Sequence, residues 1–187
     1  LNESERAATV ARAMARVEHL RGLEFDERVP VTVVSRSNYS AAGGTDRNGS
    51  AFRTFDNAKF EALFLVGEDE NSLAVQQSSR NQTVLGYYSP AKDAIVVVSD
   101  ADEPTFDGEG TLAHELVHAL QDQHFDLSEG SPSTRDAYNA RNGLVEGDAK
   151  LVQRRYQQRC GANWSCLAPP ESSGGGAGGG PPNMGVY

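Results

Sequence analysis

The stretch that most restricts the fold is TLAHELVHALQDQHF, residues 111–125, which holds three of the chain's four histidines. His114 and His118 stand four apart, so on a helix they project from one face, one turn from each other. Two imidazoles placed in this way can reach one divalent cation. Glu115 lies about 100° round the helix from His114, where it can lean over the open side of the metal. Leu112, Ala113, Leu116, Val117 and Leu120 supply apolar surface, and no Pro or Gly interrupts them. The segment is therefore expected to form a buried helix opening near Thr111. Its pattern points to Zn²⁺, which lowers the pKa of a bound water to about 7 and so lets a carboxylate such as Glu115 serve as general base.

Two histidines do not complete a catalytic zinc site; a third protein ligand is needed. His124 has the outer spacing of HExxHxxGxxH, but Gln121 occupies the position of the glycine that turns that chain back toward the metal. On an uninterrupted helix His124 points about 120° away from His118 and instead bonds a nearby carboxylate or carbonyl. Glu146, in ARNGLVEGDAKL, lies on the following helical segment, and a carboxylate from a second helix is how His₂Glu sites are completed. Asp148 is a further candidate, ranked behind it. Ala140, Gly143 and Gly147 form a strip of small residues beside Glu146. Each glycine inside a helix costs about 1 kcal/mol against alanine, and close approach of the HELVH helix is the reason expected for them.

Elsewhere the pattern alternates helix and strand. Residues 3–21 read as an amphipathic helix, with Val10, Met14 and Val17 on one face and Ala7 and Leu20 alongside, a capping box from Asn2 and Glu5, and a stop at Gly22. VPVTVVS (29–35) reads as a strand, 36–53 as a turn-rich loop, and 56–67 as a helix ending at Gly67, with a short helix over 69–79. TVLGYYS and AIVVVSD are strands joined by PAKD as a hairpin, and 101–110 is a loop. A helix over 135–158 follows, with Thr134 as its N-cap. Residues 169–187 are rich in Gly and Pro and read as a flexible tail, or as a loop leading to a further part of the protein. Cys160 and Cys166 suit a small disulfide-closed loop, with two buried free thiols as the alternative. A disulfide implies a compartment outside the cytoplasm.

HELVH followed by a helix carrying EGDA resembles the gluzincin group of zinc peptidases. More closely, GYYSPAKDAIVVV, TLAHELVHALQDQHFDL and LVEGDAKLV resemble a family of bacterial predicted metallopeptidases over roughly residues 83–156, with a weaker echo in VEHLRGLEF (17–25). The resemblance implies His114, His118 and Glu146 as zinc ligands and Glu115 as the base. It implies an α+β, zincin-like fold: a small, mostly antiparallel sheet packed on the HExxH helix and on the third-ligand helix. Residues 1–168 then form a single metallopeptidase domain, and the substrate is a peptide or protein. The thermolysin-like peptidases carry an aspartate four residues after the ligand Glu; Lys150 stands there in this chain, leaving Asp148, another acid or a backbone carbonyl to orient a zinc histidine. A downstream Tyr or His that steadies the intermediate is not evident; Tyr138, Tyr156 and Tyr187 are the candidates, each more in keeping with ordinary packing.

Composition narrows the alternatives. A net charge of −9 with no basic stripe argues against nucleic acid. No apolar run approaches the roughly 18 residues of a membrane span. Leu1 opens directly on a polar stretch, which reads as a processed or trimmed start, with the protein expected outside the cell or in the cell envelope. A zinc-binding module without activity is the rival reading. The retained Glu115 argues against it, because binding zinc does not require that residue.

Overall fold

The computed structural model describes residues 2–41, 53–65, 67, 84–99, 108–128 and 132–167. Helix α1 (Glu3–Arg21) has the expected capping box, Asn2 and Glu5 each accepting the other's backbone N–H, and ends on Gly22 at φ 73°, a left-handed conformation that glycine adopts without strain. Val10, Ala13, Met14 and Val17 form its buried stripe, while Ala7 is exposed. Strand β1 (Val31–Ser35) runs directly into a six-residue helix, α2 (Arg36–Ala41), where a loop was expected. The reason is local: the Ser35 hydroxyl accepts the backbone N–H of Asn38 three residues on, an N-cap arrangement that turn-rich composition disguises. Helix α3 (Arg53–Ala62) begins earlier and ends sooner than the pattern suggested. The expected 69–79 helix and the 169–187 tail lie outside the described residues.

Strands β2 (Gly86–Ser89) and β3 (Ala94–Ser99) form the expected hairpin, joined by a 3₁₀ turn over Pro90–Lys92 and by Asp93 in the left-handed region. The sheet order is β1-β3-β2. β3 pairs antiparallel with β2 but parallel with β1, so the sheet is mixed where a mostly antiparallel one was expected. The parallel pairing follows from the long connection between β1 and β3, since a hairpin joins only antiparallel neighbours.

Helix α4 (Glu109–Phe125) is the centre of this α+β arrangement, touching α1, β2, β3 and α5 (Arg135–Cys160). Leu112, Ala113, Leu116, Val117 and Leu120 are fully buried, as their pattern predicts. They pack with the α1 stripe, with Tyr88, Ile95 and Val97 of the sheet, and with Ala149, Val152 and Tyr156 of α5. A helix buried on almost every side must bury its polar residues too, and so demands partners for them. Its first residue, Glu109, is two positions ahead of the expected start. Thr134 caps α5 through the Ala137 N–H. Among the described residues, no helix is long and apolar enough to cross a membrane.

Candidate metal centre

His114 and His118 lie one turn apart on α4, both fully buried, and their Nε2 atoms face each other at 3.0 Å. Glu146 comes from α5, which packs along α4. Its Oε2 is 3.3 Å from His114 Nε2 and its Oε1 is 3.7 Å from His118 Nε2. These three residues form a group that could hold a metal ion. Two features of the molecule fit a cation there. Tetrahedral ligands with bonds of about 2.0–2.1 Å stand about 3.3–3.4 Å apart, and the three separations bracket that value. Both Glu146 oxygens and His114 Nδ1 are buried without a hydrogen-bond partner among the described residues. A carboxylate in that condition is costly unless positive charge lies beside it.

Glu115 does not join this group. Its carboxylate is turned toward the sheet, where Oε2 accepts the backbone N–H of Tyr88 at 2.8 Å in a buried contact. Tyr88 holds α4 a second time, two turns further on, through its hydroxyl, which lies 2.8 Å from Asp122 Oδ2 and 3.2 Å from Asp93 Oδ1. Burial, reinforced by these two carboxylates, raises the pKa of that hydroxyl far above the usual tyrosine range, so it stays a donor. Gly86 permits the strand to approach so closely. A Cβ there would stand 3.1 Å from the Val96 carbonyl oxygen and 3.4 Å from Thr111 Cγ2.

His124 is on the exposed side of the helix, which runs unbroken to Phe125, and its Nε2 lies 2.8 Å from the Glu24 carbonyl oxygen. Asp148 is not in the ligand group either. Its Oδ2 receives Gln121 Nε2 at 2.9 Å and Arg21 Nε at 2.9 Å. Gln121 in turn places Oε1 3.0 Å from His118 Nδ1. The residue at the position of the turn-forming glycine is thus the neighbour of a histidine of the candidate metal group. Its position three after His118 on one helix face is a signal available in the sequence.

The close-approach reason for Gly143 and Gly147 is incorrect: a Cβ at either would meet nothing within 4 Å. Both lie on the outer side of α5 with Leu144, which is 76% exposed. Tyr156 is a packing residue, set against Trp164 and bonded to Glu109, while Tyr138 lies beneath the Arg135 guanidinium. Tyr187 lies outside the described residues.

A buried ionic cluster at the start of α4 had no sequence signal. The Glu109 carboxylate receives Arg12, Arg16, the Tyr156 hydroxyl and the Leu167 N–H. Burial pulls the Glu109 pKa upward, but the bonds from Tyr156, Arg12 and Leu167 outweigh it and hold the carboxyl below its ordinary value. Burial likewise raises Tyr156, to about 12. Cys160 and Cys166 are joined as a disulfide; the loop they close brings Trp164 to this cluster, and Leu167 follows directly after it.

No protein-family model, curated protein or solved structure matches the chain.

Proposed function

We propose that the protein is a zinc-dependent peptidase with a zincin-like fold of the gluzincin type, in which His114, His118 and Glu146 hold the metal and Glu115 is the general base. The observation that carries this reading is the convergence of two buried imidazoles from α4 and the buried carboxylate oxygens of Glu146 from α5, with a buried glutamate, Glu115, next to the first histidine. Bound there, zinc supplies Lewis acidity toward a water molecule and a substrate carbonyl. Glu115, oriented by the Tyr88 N–H, takes a proton from the water and delivers it to the departing amine. Among the described residues β2 forms one edge of the sheet and lies against α4 beside Glu115, where an extended peptide can add as a further strand. The disulfide supports a location outside the cytoplasm.

The test is zinc content and peptide hydrolysis measured together. Glu115→Gln is expected to retain stoichiometric zinc and lose hydrolysis; Glu146→Ala is expected to lose both, and His124→Ala neither. Wild-type protein that takes up no zinc after reconstitution refutes the metal reading. Hydrolysis that survives Glu115→Gln refutes the role of the base.

A further inference from the structure

The hydrogen bonds around Gln121 determine more than its own position. Its Nε2 lies 3.1 Å from the Val145 carbonyl oxygen and 2.9 Å from Asp148 Oδ2, two groups that can only accept at neutral pH. The amide is therefore oriented with NH₂ toward α5 and Oε1 toward α4. Oε1 can only accept, and it lies 3.0 Å from His118 Nδ1, so that nitrogen must carry the proton. In a neutral imidazole the lone pair then sits on Nε2, the atom turned toward His114 and Glu146. Asp148 is itself held by Arg21 at the end of α1, through the same oxygen that receives Gln121. His114 has no such arrangement: its Nδ1 is without a hydrogen-bond partner among the described residues.

We propose that Gln121 is a positioning residue that fixes His118 as the Nδ1–H tautomer, with Asp148 and Arg21 setting the orientation of its amide. The inference rests on the metal-site reading above for its purpose, but not for its geometry. Three elements, α1, α4 and α5, are thereby tied to a single ligand atom. Asp148 reaches the imidazole only at one remove, with a glutamine as the intermediary. A neutral amide between carboxylate and imidazole transmits orientation while keeping the negative charge of Asp148 off the ring.

The first test needs no variant and no metal. Nitrogen-15 NMR of the metal-free wild-type protein at alkaline pH distinguishes the two neutral histidine tautomers, and His118 is expected as Nδ1–H. Finding it as Nε2–H overturns the proposal. Gln121→Met, similar in length but without the acceptor, is expected to release that preference and to weaken Zn²⁺ binding about 10- to 100-fold in competition with a chromophoric chelator. Gln121→Glu places two carboxylates together and is expected to bind zinc poorly; Gln121→Glu/Asp148→Asn restores a donor facing an acceptor and should recover the affinity. A merely structural role for Gln121 predicts no recovery. Affinity of Gln121→Met within about twofold of wild type, with the tautomer unchanged, also overturns the proposal. If the wild type binds no zinc while His118 is still Nδ1–H, the metal reading fails and the positioning geometry stands.

Discussion

Replacing Glu109 by glutamine keeps the shape of the side chain and removes its charge, and the surroundings make the consequence calculable. The Glu109 side chain is completely buried; its partners Arg12 and Arg16 are 40% and 15% exposed. Without the carboxylate, Arg16 is left among Tyr156, Trp164 and the disulfide with a carbonyl as its remaining oxygen acceptor besides the tyrosine. The new amide must also point its NH₂ at one of the two guanidinium groups, which can only donate. Breaking a buried ion pair from one side costs about 3–5 kcal/mol. Arg12 can turn to water, and its share is discounted accordingly, so we expect about 3 kcal/mol for Glu109→Gln. For a chain of this size that corresponds to a fall in Tm of about 6–12 °C.

The dependence on pH provides the sharper check. The Glu109 carboxyl titrates below its ordinary value of 4.5 in the folded state. A depressed carboxyl stabilises the fold fully above its unfolded pKa and loses that contribution as pH falls through the folded one. The wild type should therefore exceed Glu109→Gln in stability at neutral pH, and the gap should close on acidification below the unfolded value. Thermal unfolding followed by circular dichroism from neutral to acid pH measures this directly. A gap that stays constant across the range, or a change in Tm under about 2 °C at neutral pH, refutes the assignment of Glu109 as the charged centre of the cluster.

Two further outcomes follow from the same geometry. Reducing the disulfide, or Cys160→Ser/Cys166→Ser, frees a ring with a sequence separation of six and should cost about 2.4 kcal/mol by the loop-entropy relation. Trp164, the only tryptophan, is in that ring, so its emission should move to the red; an unchanged spectrum and midpoint contradict the docking of the loop on Tyr156 and Arg16. Gly86→Ala brings a methyl 3.1 Å from the Val96 carbonyl oxygen of β3 and against Thr111 of α4, so that β2 must shift between them at a cost of about 1–3 kcal/mol. Peptide hydrolysis should fall while zinc content holds, because Glu115 loses its orienting N–H but the ligands do not move. Wild-type rates for this variant count against that role of Tyr88.

What could be read in advance divides along a physical line. Periodicity and capping are local, and the local features were legible: α1 with its box, the hairpin over 86–99, Thr134 as a cap, and the burial of Leu112, Leu116 and Leu120. His114 and His118 are also local, because one turn of helix sets their relation. Glu146 was legible only as a residue type on a second helix, and the interval between helices does not set a distance; packing of α4 on α5 does. The features that escaped depend on contacts between distant segments. Nothing in EGTLAHE announces that Glu109 will meet Arg12, Arg16 and Leu167, and nothing in GYYS announces that a backbone N–H will face Glu115. Gly143 and Gly147 show the converse error, a local oddity given a tertiary reason where the structure has open space.

That division bears on how the site is supported. The candidate ligands stand on helices, but their surroundings come from every packed element: β2 orients Glu115, α5 and the end of α1 orient Gln121, and Leu167, next to the disulfide, binds the first residue of α4. Because α4 is buried almost throughout, its polar residues are satisfied by different neighbours, and displacing one neighbour removes a particular buried bond. Damage to the site is then expected to track the loss of particular hydrogen bonds rather than global stability. Gly86→Ala and Glu109→Gln separate the two. Both destabilise the protein, yet only the first touches a bond to the residue proposed as base. Equal loss of hydrolysis per folded molecule in the two variants would show instead that α4 responds as one rigid body, and that its polar contacts cannot be assigned separate roles.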